Sequence, residues 1–326
     1  MSVPSLSSIS VALCTRDGAR YLSAQLESIF QQSMRPAELV VIDDCSSDVT
    51  GDIVEAFEAR ADFPVRFYRN ESPLGIVKNF QRALSLAHGD YIALADQDDV
   101  WLPGKIEALA HALSQVEDKV GARTPILVHT DLRLVAADGE LIAPSFFRAQ
   151  GIRTVHPSPL AELSVQNYVT GCASMVNRAL LSIALPFPEE AIMHDWWLAL
   201  VAASCGEVKT LGEATIEYRQ HSKNAVGVAS RRSSRYLTGF AELKRLLHSR
   251  VRQLHALEER VGGVSGAGDR VRALLGCLEG SGLKALSDCR ALGVRTQRLF
   301  PTIMIYLWVV FGALRTQPEP VLDGES

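Results

Sequence analysis

The sequence predicts an α/β protein with a mostly parallel central sheet flanked by helices, followed by a helical C-terminal region. Three observations carry this. Short apolar runs alternate with amphipathic stretches through residues 1–120, the pattern of parallel strands covered by helices on both faces. Polar clusters stand directly after those runs, where the loops of such a sheet gather at the carboxyl ends of its strands. From about residue 230 the period turns helical, with Arg231, Arg232, Arg235, Lys244, Arg245, Arg250 and Arg252 interleaved with leucine and tyrosine.

Residues 9–14 form a compact apolar run bounded by polar residues, which reads as a buried strand. Residues 20–32 follow with Leu22, Leu26, Ile29 and Phe30 at helical spacing. A second strand over 39–42 ends abruptly in Asp43, Asp44, Cys45, Ser46 and Ser47. A helix from about residue 48 carries Ile53, Val54 and Phe57 on one face. A third strand covers 65–68, a helix 76–86 lies behind Gly75, and a fourth strand over 91–95 runs into Asp96-Gln97-Asp98-Asp99. Between 126 and 220 the pattern is mixed: 126–129, 132–135 and 215–218 read as strands and 196–204 as a helix. A glycine-rich break at 262–268 divides the C-terminal helical stretches. No internal repeat is visible.

The 326 residues suggest about two domains at roughly 150 residues each. Hydrophobic residues make up 47% and charged residues 21%, and no apolar run reaches about 18 residues, which excludes a disordered chain and a polytopic membrane protein. The net charge of −4 hides an asymmetry. Residues 1–225 hold 18 Lys/Arg and 28 Asp/Glu, whereas 226–326 hold 15 and 9, so we divide the chain there into an acidic body and a basic helical region with different partners. The uncharged stretch 299–314 contains Pro301 and is short for a span, so an interfacial or buried helix is expected. The basic region beside it is expected to meet a membrane surface or to pack on the body; nucleic acid is not expected, because no recognised binding motif is present. Six scattered cysteines with no C-x-x-C pair argue against a zinc ribbon or a dithiol redox site. With no basic n-region before the first apolar run, a cytoplasmic location is expected, peripheral to the membrane if the basic region meets it.

Neither G-x-G-x-x-G after the first strand nor G-x-x-x-x-G-K-[ST] occurs, which removes dinucleotide oxidoreductases and P-loop NTPases. Acids stand where glycines would. Carboxylates repel phosphate, but they hold a divalent cation that grips a diphosphate, or they hydrogen-bond a base and ribose. Three carboxylates within Asp96-Gln97-Asp98-Asp99 fit a Mg²⁺ or Mn²⁺ site, and read alone they fit an acidic, helix-capping turn equally. In His194-Asp195-Trp196-Trp197 an acid beside two tryptophans reads as a desolvated base or as a helix cap, and one residue can be both. His221, ending a strand, reads as a ligand or as an ordinary surface or core histidine.

With these residues assembled, the chain resembles the family 2 glycosyltransferases of GT-A fold, the nucleotide-diphospho-sugar transferases, over about residues 8–225. The likeness rests on ISVALCTRDGARYL (9–22), VVIDDCSSD (40–48), NESPLGIVKNF (70–80) and GDYIALADQDDVW (89–101), the last carrying a D-x-D as Asp96-Gln97-Asp98. Residues 95–101, HDWWLAL and YRQHSKN make it most similar to bacterial rhamnosyltransferases of cell-surface polysaccharide assembly. The resemblance implies an inverting, metal-dependent transfer, with dTDP-rhamnose the best-fitting donor and a glycan or lipid-linked hydroxyl as acceptor. It implies that Thr15 and Arg16 lie beside the base and that Asp44 bonds the pyrimidine ring, with Asp43 its neighbour. It implies that Lys78 and Asn79 line the pocket and that Asp96 faces the ribose. Asp98 and His221 would then hold Mg²⁺ or Mn²⁺ at the diphosphate, and Asp195 would be the catalytic base. His194 departs from the pattern, since many relatives carry glutamate before the base. Two other readings remain: a haloacid-dehalogenase-like phosphatase, whose nucleophile loop resembles residues 96–100, and a non-catalytic sugar-nucleotide binding module.

Overall fold

The computed structural model describes residues 9–221 and 240–314, with side chains described for 9–221 and 244–314. The proposed boundary at 225/226 and Arg231, Arg232 and Arg235 lie outside the described residues. The first half alternates as the sequence predicts: β1 (Ile9–Thr15), α1 (Leu22–Phe30), β2 (Glu38–Asp43), α2 (Thr50–Glu58), β3 (Val65–Arg69), α3 (Ile76–Leu86) and β4 (Tyr91–Asp96). These four strands are parallel, in the order β3-β2-β1-β4. Register explains why their acids meet. Thr15 lies opposite Asp43, and Cys14 opposite Asp96, so the polar loops after β1, β2 and β4 leave the sheet at one level.

Beyond β4 the sheet is mixed. The short β5 (Val100–Trp101) precedes α4 (Lys105–Val120), then β6 (Ile126–Ala136), β7 (Leu141–Ala143), α5 (Phe146–Gln150) and α6 (Pro159–Leu163). β8 (Ser174–Asn177), α7 (Arg178–Ala184), α8 (His194–Cys205) and β9 (Glu207–Gln220) follow. β8 runs antiparallel between β4 and β6, β9 lies parallel to β6, and β5 pairs antiparallel with β9 through Val100 opposite Glu217 and Trp101 opposite Ile216. That last pairing brings the chain after Tyr218 against the acidic loop after β4. The sequence expectation of two separate strands over 126–135 becomes the single strand β6, whose register shifts near Asp131 break its apolar rhythm.

Because the parallel strands are covered on both faces, their side chains feed two cores by alternation. Ile9, Val11 and Leu13 join Leu22, Leu26, Val54 and Leu109 under α1, α2 and α4. Ala12 joins Ile92, Leu94, Phe80 and Trp197 on the opposite face, under α3 and α8. Four further helices, α9 (Phe240–Val261), α10 (Ala267–Leu278), α11 (Gly282–Leu292) and α12 (Leu299–Val310), extend that second core. Leu247, Val251, Leu254 and Leu257 of α9 are buried in it, and Arg260 bonds the carbonyls of Ile183, Ala184 and Pro186. No helix among the described residues is long and apolar enough to cross a membrane.

Candidate active site

A cavity of about 970 Å³ lies at the carboxyl ends of β1, β2 and β4. Of the residues the sequence singles out, it is lined by Thr15, Arg16, Asp44, Asn79, Asp96, Asp98, Asp195 and His221, with His194 beside them. Asp43 and Lys78 are not in its wall. Asp43 is buried and turned the other way, accepting from the backbone and hydroxyl of Ser46 and pairing with Arg69 at 3.5 Å. It fixes the turn in which Cys45 takes a positive φ of 64°, a costly conformation for a residue other than glycine. Lys78 follows the same logic on a helix. Its neighbours Asn79 and Phe80 are the buried residues of that turn, and a 100° step turns Lys78 outward to Glu189, 3.8 Å away.

Asp44 organises the cavity wall at the end of β2. Its carboxylate accepts from the amides of Leu74 at 2.6 Å and Gly75 at 2.9 Å, and from Asn70 Nδ2 at 2.8 Å. Three of the roughly four acceptor positions of a carboxylate are thus filled, and the Arg16 guanidinium lies 3.9 Å from Asp44 Oδ2. Asn70 also bonds Asn79 Oδ1 at 2.8 Å, and Asn79 Nδ2 donates to the Ile42 carbonyl. Gln97, the middle residue of the D-x-D, was not singled out by sequence. Its Oε1 accepts from Thr15 Oγ1 at 2.6 Å and from the Arg16 amide at 2.8 Å, and its Nε2 donates to the Arg16 carbonyl. It ties the loops after β1 and β4 together, and no local signal announces a contact between residues 81 or more positions apart.

The acidic loop is held by the end of β9. Arg219 donates through its backbone amide to Asp99 Oδ1 at 3.2 Å and through Nε to the Asp98 carbonyl at 3.1 Å. His221 Nε2 lies 2.7 Å from Asp98 Oδ2, and its ring stacks on Tyr21 with centroids 5.0 Å apart. Beneath this loop Asp99 and Lys105 are fully buried. Lys105 donates to the Cys172 carbonyl and lies 3.5 Å above the Trp101 ring. Burial, then the Asp98 charge, pushes the Asp99 carboxyl up to about 7, and burial pulls the Lys105 ammonium down to about 7. Burial and the charges of Asp99 and Asp98 hold Asp96 well above the usual carboxylate range. So dense an acidic cluster, with a carboxylate oxygen and an imidazole nitrogen side by side on the cavity wall, fits a hard divalent cation such as Mg²⁺ or Mn²⁺. Asp98 and His221 are candidates to hold it, and beneath them Asp96, Asp99 and Cys172 bring ligand atoms within 4.8 Å of one another.

The same cavity is lined by the start of α8, His194 and Asp195. Asp195 accepts from the Gly171 amide at 3.0 Å, Asn167 Nδ2 at 3.1 Å and the Trp196 amide at 2.6 Å. Burial pushes its carboxyl up to about 6, and those three donors pull the other way. A group with that affinity for a proton is still mostly ionised at neutral pH, as a general base must be. His194 stacks on Phe80 with centroids 3.8 Å apart, and burial drives its imidazole down to about 3, so it is neutral. Gly171 leaves no room for a side chain: a Cβ there would meet His194 Nε2 at 2.6 Å and Asp195 Cβ at 3.3 Å. Gly171→Ala is therefore expected to displace both side chains. Misplacement of a reacting group by about 1 Å costs about 10²-fold, so we expect a loss of that order in transfer with donor binding retained, read by comparing initial rates with donor titrations.

Several solved structures share this architecture. Staphylococcus aureus TarS 1-349 in complex with UDP aligns with a TM-score of 0.54 at 18% identity, covering 82% of this chain and 69% of that one. The mannosyltransferase PcManGT of Pyrobaculum calidifontis, in complex with GDP-Man and Mn²⁺, aligns with a TM-score of 0.52 at 19% identity, covering 94% and 85%. The fold is thus that of the GT-A nucleotide-diphospho-sugar transferases. In sequence, the glycosyl transferase family 2 profile matches residues 10–137. TuaG of Bacillus subtilis, which carries a provisional glycosyltransferase name in teichuronic acid biosynthesis, is 33% identical over 213 residues, 65% of this chain and 78% of that protein. The chain belongs to glycosyl transferase family 2. An uncharacterized glycosyltransferase of Nostoc is 27% identical over 66% of either chain, and the Mycobacterium tuberculosis protein Rv1520 is 27% identical over 59% of this chain. The chain spans 66% and 52% of the lengths of those two relatives. The phosphatase reading is not favoured, because the acidic loop follows the fourth strand of the domain rather than the first and the family is a transferase family.

Proposed function

We propose that this protein is an inverting glycosyltransferase that moves a sugar from a nucleoside diphosphate to an acceptor hydroxyl on the cytoplasmic side of the membrane. The observation that carries the reading is that Asp98, His221, Asp195, Asp44 and Asn79 line one cavity. In this reading Thr15, Arg16, Asp44, Asn79 and Asp96 bind the donor, and Asp43 and Lys78 support the loops from outside. Asp195 takes the proton of the acceptor hydroxyl as its oxygen bonds the anomeric carbon from the face opposite the diphosphate. The bond from that carbon to the diphosphate oxygen breaks, the electron pair leaves with the nucleotide, and the proton later passes from Asp195 to solvent. The sugar is oxocarbenium-like at the transition state, as in glycoside hydrolysis. A divalent cation held by Asp98 and His221 would supply neutralisation of the charge growing on the leaving diphosphate.

For the donor we propose dTDP-rhamnose, which the resemblance of residues 95–101, HDWWLAL and YRQHSKN to rhamnosyltransferases supports. Sugar-nucleotide complexes of structural neighbours, UDP-GlcNAc with TarS and GDP-Man with PcManGT, support a nucleotide sugar in general and leave the base to experiment. The test is thermal stabilisation across a panel of nucleotide sugars with Mn²⁺, Mg²⁺ or chelator. A donor at 100 times its Kd adds about 2.7 kcal/mol to stability. We expect that gain for dTDP-rhamnose only with metal, and its loss in Asp98→Asn. A larger gain from another nucleotide sugar overturns the rhamnose assignment alone, and no gain from any sugar nucleotide overturns the transferase reading. Donor hydrolysis in the presence of Mn²⁺ separates an enzyme from a binding module.

A further inference from the structure

The helix α12 is apolar on its exposed face as well as its buried one, and the exposed face is an interaction surface outside the cavity. Thr302, Ile305, Trp308 and Val309 are buried on one side of this helix. On the other, Leu299 is 76% exposed, Phe300 61%, Ile303 44%, Leu307 45% and Phe311 79%. At 100° per residue those five side chains fall within one sector about 120° wide. It forms a stripe of roughly 18 Å along the axis at 1.5 Å per residue. Scattered exposed leucines are ordinary on a soluble surface, whereas five large apolar side chains in one stripe mark a surface that something covers.

The charge around the stripe says what. From Cys289 to Pro318 the sequence contains Arg290, Arg295, Arg298 and Arg315 and no carboxylate. Arg295 is engaged by Glu162 and Arg298 reaches Gln150, while the side chains of Arg290 and Arg298 are both exposed. A second copy meeting this face would set one arginine-bearing, carboxylate-free segment against another. An anionic lipid surface meets both features at once, taking the apolar stripe among its acyl chains and the guanidinium groups among its headgroups. We propose that α12 seats the protein on an anionic bilayer, lying in the interface without crossing it.

The position of the helix gives the contact a purpose. The backbone amide of Arg153 lies 3.3 Å from Gln297 Oε1, and Arg298 Nη2 lies 3.5 Å from Gln150 Oε1. Gln150 and Ile152 line the catalytic cavity. The stripe therefore begins beside the cavity rim, and a bilayer under α12 would present a membrane-anchored acceptor there. That last step rests on the transferase reading; the seating itself does not.

Co-sedimentation of the full chain with vesicles of phosphatidylcholine and phosphatidylglycerol, against phosphatidylcholine alone, tests it. We expect binding to the anionic vesicles that weakens with added salt. In the double variant Leu307→Gln/Phe311→Ser the partition coefficient should fall roughly tenfold or more, because two large apolar groups are withdrawn from the lipid. Its melting temperature and its donor-dependent stabilisation without lipid should stay unchanged. Absence of binding to anionic vesicles, or equal binding by the double variant, overturns the proposal. So does a concentration-dependent dimer in sedimentation velocity that the double variant abolishes. Donor-dependent stabilisation without lipid reports on the transferase reading by itself, so failure of one is separable from failure of the other.

Discussion

Asp195→Asn is expected to lower transfer by about 10²–10⁴-fold, the usual contribution of a positioned general base, while leaving donor binding in place. The geometry sets up this separation. Asp195 lies at the start of α8 and bonds Asn167 and Gly171, whereas Asp44 and Asn79 are joined through Asn70 in a separate hydrogen-bonded group. Asparagine keeps the size of the side chain and one of its oxygens, yet cannot take a proton at neutral pH. The same carboxyl predicts the acid limb of the pH profile. Burial raises its pKa to about 6, and only the ionised form is a base. The free enzyme's kcat/KM should therefore fall about tenfold per pH unit below about 6 and level off above it. In Asp195→Asn that limb should vanish together with the rate. Full activity in the variant, or an unchanged limb at about pH 6, would remove Asp195 from the chemistry.

How much of this could be read before folding differs from residue to residue. The parallel half was legible because strands buried on both faces are continuous apolar runs, and β1, β2 and β4 announce themselves that way. The strand-end rule then placed Thr15, Asp44, Asp96 and Asp98 in one cleft. Adjacent residues were harder to separate. Asp43 and Asp44 differ by one position, and only the turn at Cys45 decides that Asp43 faces Ser46 while Asp44 holds Leu74 and Gly75. Lys78 and Asn79 are separated by 100° of helix, a step no composition argument resolves. β5, β7 and β8 were missed because two to four residues cannot display a period. Gln97 and Arg219 act through backbone groups of distant loops, and such contacts leave no trace in a single chain's pattern.

Lys105→Ala is expected to destabilise the protein by about 2–5 kcal/mol, the range for truncating a long buried side chain to alanine. Lys105 is fully buried at the start of α4, and its ammonium is the cation whose charge opposes those of Asp96 and Asp99 under the acidic loop. Truncation takes away that charge, the bond to the Cys172 carbonyl and the contact with the Trp101 ring, and it leaves a void where the stem stood. Lys105→Met separates these contributions, because it restores the stem and omits only the charge and the donor. We expect methionine to recover part of the loss through packing, with Asp96 and Asp99 still uncompensated. Urea unfolding with unchanged slope measures both variants. Full stability in Lys105→Met would mean that the two carboxyls are carried uncharged and need no cation there. A deficit remaining in methionine measures what the ammonium adds beyond its stem, through its charge beside Asp96 and Asp99 and its bond to the Cys172 carbonyl.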